Sequence, residues 1–233
     1  MEMPTKKECH GTDPKVWDTW RTGETTWVIQ DLPEEDDEEA LDILLEHLCP
    51  DEPMCTIAGI CNDPISMKSM RDIWRDCLKQ RTSLACYALV GDTRTLAGLN
   101  VCVVKRADEK KHMESEGDAV KFIIDSMEFL ETKEDVFQFV GDDKYLAAFG
   151  LVVRREFRGK KLGGRILNAR EPMCRSMGIR GTSTVFTGIA AQKSAARCGF
   201  TTLVTMTHSE LADEGFKYPR SDREIKVMAK KYC

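Results

Sequence analysis

Hydrophobic positions in this chain recur in two rhythms, and the two rhythms mark out its elements. Ala40, Leu41, Leu44, Leu45 and Leu48 follow the three- and four-residue spacing of one helix face. Pro33 stands at the first turn of that segment, acids fill the turn and Pro50 stops it. These signals predict a helix over 33–50. Met67, Met70, Ile73, Trp74, Cys77 and Leu78 predict a second helix over 66–80. Val120, Phe122, Ile123, Ile124, Met127 and Leu130 make the region from about Glu114 to Thr132 mostly helical. The other rhythm is that of strands. TTWVIQDL is a short strand, and SLACYALV and LAGLNVCVVKR are two more around the polar turn GDTRT. YLAAFGLVV is an unbroken apolar run, the mark of a strand covered on both faces. After it come a polar, glycine-containing loop and a helix over about 162–177, which Pro172 is expected to kink or divide. The strand STVFT, the short helix AAQKSAARCGF and the strands FTTLVTMTH and EIKVMAKKY complete the chain. Residues 1–25 show no clear periodicity, although Trp17, Trp20 and Trp27 suggest that part of this arm is packed. The expected organisation is an N-terminal arm over 1–25 and a single domain over 26–233, with no internal repeat.

Composition changes this picture little. At 233 residues, with 42% hydrophobic and 31% charged residues, the chain suits one sizeable α/β domain. No apolar run approaches the roughly 20 residues of a membrane span, and the polar N-terminus has no signal-peptide core. A soluble cytoplasmic protein with no membrane partner is expected. The ten cysteines include no C-x-x-C pair, and several lie inside apolar segments, as Cys86 and Cys102 do. They read as reduced, buried thiols. No His/Cys/Asp spacing suggests a metal site. His10 and His112 sit in polar segments, and His47 reads as a helix-end residue.

Charge is informative through its distribution. A net charge of −5 argues against a nucleic-acid binder. Between Asp31 and Glu39 there are seven acids and no base, and between Arg154 and Arg165 six bases and one acid. Either run is compatible with a plain solvated surface. Together they fit a cationic ligand near the first and a polyanion near the second.

The second run contains the most specific motif. Strand, REFRGKKLGGRIL, helix is a phosphate cradle in outline: a helix N-terminus has unpaired N–H groups, glycines allow close approach, and Arg158, Lys160 and Lys161 add charge. It lacks the G-x-x-x-x-G-K-[ST] string of a P-loop and the placement of a dinucleotide fingerprint. Arg158-Gly159-Lys160-Lys161-Leu162-Gly163 does resemble the R/Q-x-x-G-x-G/A signature of the GNAT acetyltransferases, with Phe157 and the apolar strand before it also similar. Lys161 stands where the family has its middle glycine. DEPM at 51–54, the ending IKVMAKKY and the acid-rich start of the first helix look like the insect-type arylalkylamine N-acetyltransferases.

That resemblance implies an α/β (α+β) GNAT fold: a central, mixed, mostly antiparallel and splayed sheet of about seven strands, with helices on both faces. It implies acetyl-CoA as co-substrate, in the splay, held by Leu151, Val152, Val153, Arg158, Gly159, Lys160, Lys161, Leu162, Gly163 and Gly164. A backbone N–H at Val153 would donate to the thioester oxygen. An alkylammonium must lose a proton before it can attack. The family's base is a glutamate at a P-E-D position, which Glu35 matches best and Glu34 next. Either acid would also stabilise the helix dipole with no chemistry. Ala195 occupies the place of the tyrosine that many relatives use as acid. Thr187 is then the first choice for proton donor and Ser194 the second, with Ala191 where a further serine is common; a thiolate that leaves unprotonated is the remaining alternative. His208 could face the amine. With aromatics at 7% of residues, no aromatic cage is evident.

The implied activity is acetylation of the primary amine of a small molecule in a ternary complex. The amine is an arylalkylamine such as dopamine, serotonin or tyramine, or else a polyamine or agmatine. A protein or peptide N-acetyltransferase and a non-catalytic acyl-CoA-binding module are the alternatives. A monomer is compatible with everything in the sequence.

Overall fold

The computed structural model describes residues 13–109 and 113–232. His10 and His112 lie outside them. The described residues form one sheet of eight strands: β1 (Val16–Thr22), β2 (Thr25–Asp31), β3 (Leu84–Val90), β4 (Thr93–Arg106), β5 (Lys144–Val153), β6 (Gly181–Phe186), β7 (Thr201–Thr207) and β8 (Glu224–Lys231). Their order is β1-β2-β3-β4-β5-β6-β8-β7. Every neighbouring pair is antiparallel except β5 and β6. The strand beyond the expected seven or so is β1, which pairs with β2 through a tight hairpin. Its residues are exposed or half-exposed, so no burial rhythm betrays it in the sequence.

The parallel pair creates the functional geometry. β5 and β6 are joined only at Leu146–Thr182 and Ala147–Ser183. Past that point β5 continues to Val153 on β4 alone, and β6 continues to Phe186 on β8 alone. From there to their C-terminal ends the two strands share no ladder pairing.

Helices cover both faces. One face carries α1 (Asp37–Ile43), α2 (Pro53–Ala58), α3 (Pro64–Leu78) and α4 (Asp118–Glu131) over Tyr87, Leu99, Val101, Phe149 and Val152. The other carries α6 (Leu162–Ser176) over Cys86, Ala97, Cys102, Leu146 and Ala148. The opposite allegiance of Phe149 and Ala148 explains why β5 reads as an unbroken apolar run. The short helices α5 (Val136–Val140), α7 (Ile189–Arg197) and α8 (His208–Asp213) sit nearer the C-terminal half.

Three details correct the sequence reading. The helix predicted over 33–50 begins as a 3-10 turn at Glu34–Asp36, is α-helical in α1 and closes as a π segment at Leu44–Leu48. Pro172 does not divide α6, which runs unbroken through it. His208 does not end β7; it opens α8, because Thr207 and Glu210 make a reciprocal capping box that stops the strand.

β5 carries one residue more than β4 between the pairs Ala148–Cys102 and Leu151–Asn100, a bulge that kinks the strand, and Leu44 and Leu48 of the π segment reach it. Gly150 has φ +117, and a Cβ there would meet Leu44 at 3.2 Å and both Leu48 and the Trp74 ring nitrogen at 3.4 Å. Trp74 is buried and donates its indole N–H to Phe149 O at 2.8 Å. On the other face Arg170, fully buried, binds Asn100 Oδ1 at 2.8 Å and Thr184 Oγ1 at 2.9 Å, and Asn100 in turn donates to Gly150 O at 2.7 Å. The kink is held from both sides of the sheet.

Candidate active site

Beyond Val153 a single 3-10 turn, Arg155–Phe157, leads into the glycine loop and α6. Gly159 at φ +81 and Lys161 at φ +62 both adopt left-handed backbone. The first bond of the helix runs from Arg165 N–H to Lys161 O, at 3.3 Å. No acceptor among the described residues receives the amides from Gly159 to Gly164. A row of free donors at the positive end of a helix is an anion site in form. Lys161 takes the angle a glycine would adopt freely, at a cost of about 1–2 kcal/mol, so the side chain does not reroute the loop. Gly164 has a different task. A Cβ there would lie 3.3 Å from Ser194 Oγ, so the residue permits close packing of α6 on α7.

The structure neutralises most of both charge runs internally. Asp36 accepts from the Tyr87 hydroxyl and from Arg94 at 2.6 Å. Asp37 pairs with Arg81, and Glu38 with Arg71 at 2.8 Å. In the basic run Arg165 pairs with Asp18 at 2.8 Å, and Arg154 with Glu156 at 3.0 Å. Arg155 and Arg158 both bind Asp51, at 3.0 and 2.6 Å. Arg158 also donates to Val153 O at 3.0 Å and His47 O at 2.9 Å, so its guanidinium braces the loop from behind. Lys160 and Lys161 remain exposed around the amides. The Lys160 ammonium lies 5.3 Å from the Trp27 ring centroid, at the rim of a 390 Å³ cavity lined by Trp20, Thr22, Thr25, Trp27 and Leu162.

Hydrogen bonds to Arg155 and Arg158 hold the Asp51 carboxyl at about 2, below its ordinary 3.8. A depressed carboxylate stabilises the fold above its unfolded pKa and loses that contribution as pH falls through the folded value. The stability difference between wild type and Asp51→Asn, measured by urea unfolding, is therefore expected to persist at neutral pH. It should shrink between about pH 4 and about pH 2. A difference that stays constant down to pH 2 counts against the ion pairs. Because the pairs are largely exposed, the gap itself should be small, on the order of 1 kcal/mol or less.

At the mouth of the gap the backbone is also oriented. Arg154 donates its N–H to Ala97 O on β4 at 2.9 Å. Successive amides of a paired strand point in opposite directions, so the Val153 N–H turns away from β4 and toward the gap. Leu151 and Val153 are half-buried beside it, while Val152 is buried on the helical face.

A search against protein-family models found no match, and a search of curated proteins found none either. Solved structures do match. A putative arylalkylamine N-acetyltransferase 7 from the yellow fever mosquito superposes with a TM-score of 0.90 at 28% identity, over 98% of this chain and 99% of that one. The chain is a GNAT-type N-acetyltransferase. Arylalkylamine N-acetyltransferase 2 from Aedes aegypti has the same fold at a TM-score of 0.78 and 18% identity, over 89% of this chain and 99% of that one. So does the Drosophila melanogaster polyamine N-acetyltransferase described as forming N-acetylagmatine, at 0.73 and 19%, over 88% and 99%.

In this acetyltransferase the sequence-derived candidates fall into separate places. Glu34 and Glu35 are exposed at the start of the first helix. Burial works against the Arg94 cation, yet bonding to Asp36 and the charges of Tyr87, Asp36 and Glu35 raise its pKa, so the Glu35 charge is felt at Arg94. Thr187 lies just past β6 and donates to Glu52. Ser194 lies at the α6–α7 contact and so on the glycine-loop side, seven residues from Thr187. His208 is buried, receives or donates at Ser221 Oγ over 3.3 Å, and lies 5.0 Å from the Tyr218 ring. Burial, and then Arg223, lower its pKa.

Sequence reasoning missed two features of this acetyltransferase. The first is aromatic. Phe122 of α4 packs at 5.0 Å on Tyr218, which also carries His208, and Phe129 packs at 5.1 Å on Phe216. These residues lie far apart along the chain, and their low number hid their clustering. The second is Glu52, which DEPM contained but which had no assigned task. Its charge is felt by Cys55, whose thiol is raised by Cys49, by burial and by Glu52. It is also felt by Tyr218, whose phenol burial pushes to about 12.

Proposed function

We propose that this acetyltransferase moves the acetyl group of acetyl-CoA directly to the primary amine of a small molecule in a ternary complex. The observation that carries the reading is the row of unpaired amides from Gly159 to Gly164 at the mouth of the β5–β6 gap. A diphosphate supplies the acceptors those donors lack, and Lys160 and Lys161 add charge beside them. Acetyl-CoA contributes an activated thioester. The residues of this chain hold the diphosphate at the loop, line the arm with Leu151 and Val153, and offer the Val153 N–H to the thioester oxygen.

Glu35 is proposed as the group that draws the ammonium and takes its first proton, with Glu34 as the alternative. Support comes from its exposure at the helix start: its charge is felt at Arg94, but among the described residues it has no ion pair of the kind that occupies Asp36, Asp37 and Glu38. The aromatic group of Phe122, Tyr218 and His208 favours an arylalkylamine over a polyamine. The names of the similar mosquito and fly enzymes span both classes. Residues 26–233 are proposed to act as one domain, to whose sheet the N-terminal arm adds β1. Cys49, Cys55, Cys61, Cys86, Cys102, Cys174 and Cys198 are free thiols, which fits a reducing, cytoplasmic setting; no described helix is long and apolar enough to cross a membrane.

The test is a thiol-release assay with acetyl-CoA against dopamine, serotonin, tyramine, agmatine and spermidine. Turnover is expected to be highest with an aromatic amine. Glu35→Ala should lower kcat about 100-fold, the low end of general-base effects, and Glu34→Ala by much less. Equal activity in wild type and both variants removes the carboxylates from the mechanism.

A further inference from the structure

Arg170 on α6 is fully buried, and the hydrogen-bond partners of its guanidinium among the described residues are all neutral. Nε donates to Asn100 Oδ1 at 2.8 Å, and Nη1 donates to Thr184 Oγ1 at 2.9 Å and Thr182 Oγ1 at 3.3 Å. Nη2 is buried too and has no hydrogen-bond partner. Cys102, Cys174 and Tyr232 lie within reach of its charge, but burial raises the pKa of all three and keeps them neutral. A buried cation with an unmet donor is costly to the fold. Such a group points to an acceptor that arrives from outside the chain.

Its bonds fix where it stands. Asn100 lies on β4 opposite Leu151 of β5. Thr182 pairs with Leu146 of β5, and Thr184 lies one residue past Ser183, where the β5–β6 pairing ends. The planar fork therefore reaches from β4 to β6 across β5, at the level where β5 and β6 part. Nη2 is left between the contacts to the two outer strands. The surroundings there are apolar. Leu151 of β5 and Phe186 of β6, both beyond the parting, belong to one cluster with Leu167 and Phe200. Arg170 Cζ lies 5.9 Å from the Phe200 ring centroid.

We infer that Arg170 Nη2 donates a hydrogen bond to a carbonyl of the pantetheine arm of acetyl-CoA, so that this buried cation holds the arm where β5 and β6 part. The inference rests on the proposed acetyl-CoA reaction and deepens it. The arm carries amide carbonyls and a thioester carbonyl, and each one that leaves water needs a donor. The inward amides of β5 supply donors on one side, and the apolar cluster supplies none. Nη2 offers a charge-assisted bond, stronger than one between neutral groups. The neutral partner at Asn100 matters here. A carboxylate in its place would engage Nε and Nη2 together and use up the donor.

The test compares two ligands by isothermal titration. One is acetyl-CoA; the other is 3′-phosphoadenosine 5′-diphosphate, which keeps the diphosphate and lacks the arm. Wild type, Arg170→Met and Arg170→Lys are titrated, and Tm is measured for each. Arg170→Met is expected to bind acetyl-CoA about 10-fold more weakly or worse, as for one lost bond to a charged group. Its affinity for the arm-less ligand should stay within about twofold of wild type. Arg170→Lys keeps the charge without the fork and should fall between the two. An arginine that only supports the core lowers Tm and shifts the two ligands equally or not at all. Either result overturns the inference and leaves the acetyl-CoA reading standing. If the variants do not fold, a crystal structure of the wild type with coenzyme A decides. Nη2 within about 3.2 Å of an arm carbonyl is expected, and Nη2 bonded only to water or protein overturns the inference. A wild type that binds neither ligand overturns the acetyl-CoA reading and the inference with it.

Discussion

Gly150→Val is expected to destabilise the fold by about 3 kcal/mol or more. Two costs add. A β-branched residue forced to φ +117 leaves its allowed backbone regions, at about 1–3 kcal/mol. Its Cβ also arrives 3.2 Å from Leu44 and 3.4 Å from Leu48 and the Trp74 ring nitrogen, three side chains held in a packed core. Overpacking of that kind costs roughly 1–3 kcal/mol. The chain can escape only by flattening the kink, and then Gly150 O leaves Asn100, and Asn100 leaves the buried Arg170. Urea or thermal unfolding checks the expectation. Wild-type stability in Gly150→Val would mean that the kink is not held as described. The same variant should lose acetyl transfer even where it remains folded, because the inward-facing amides of Leu151 and Val153 lie directly beyond the kink.

The second large effect is expected on coenzyme A affinity. Gly159→Val should weaken it about 100-fold, with a stability loss of only about 1–2 kcal/mol. Gly159 is exposed and a Cβ there meets nothing within 4 Å, so the cost to the fold is confined to φ +81. Relieving that angle moves the amides of Gly159 and Lys160 out of the row they share with Lys161 to Gly164. Losing two charge-assisted hydrogen bonds, at roughly 1.5–3 kcal/mol each, suffices for a change of that size. Gly23→Val is the control. It imposes similar strain at φ +58 in the β1–β2 turn, with nothing within 4 Å, away from the loop. It should cost similar stability and leave affinity alone. Isothermal titration with coenzyme A separates the cases. Equal affinities in Gly159→Val and wild type would remove the amide cradle as the diphosphate site.

How far the chain could be read in advance depended on whether the information was local. The glycine loop is local: strand, turn and helix start are contiguous, so its donor row could be anticipated, whereas the left-handed angle at Lys161 came only from the structure. β1 could not be, because an exposed edge strand has no buried rhythm. Pro172 misled because a proline removes a helical bond wherever it sits, yet the packing of α6 across the sheet keeps the helix whole. Arg158 was assigned to phosphate from its place in a signature; its bonds to Asp51, more than a hundred residues earlier, and to Val153 O and His47 O are contacts that the motif could not announce. Glu52 went unassigned because its partner Thr187 lies 135 residues further along the chain.

By itself the sequence determined the alternation of strands and helices, the apolar β5, the anion-binding form of the loop and, through its motif, the acetyltransferase kinship. These follow from short-range sterics, periodicity and backbone hydrogen bonding, all written within a few residues of each other. The tertiary structure alone decided which charges remain available, where β5 and β6 part, which aromatics meet and which carboxylate reaches Thr187. Those outcomes depend on contacts between segments brought together only by folding, where a side chain's chemistry is set by the neighbour it finds.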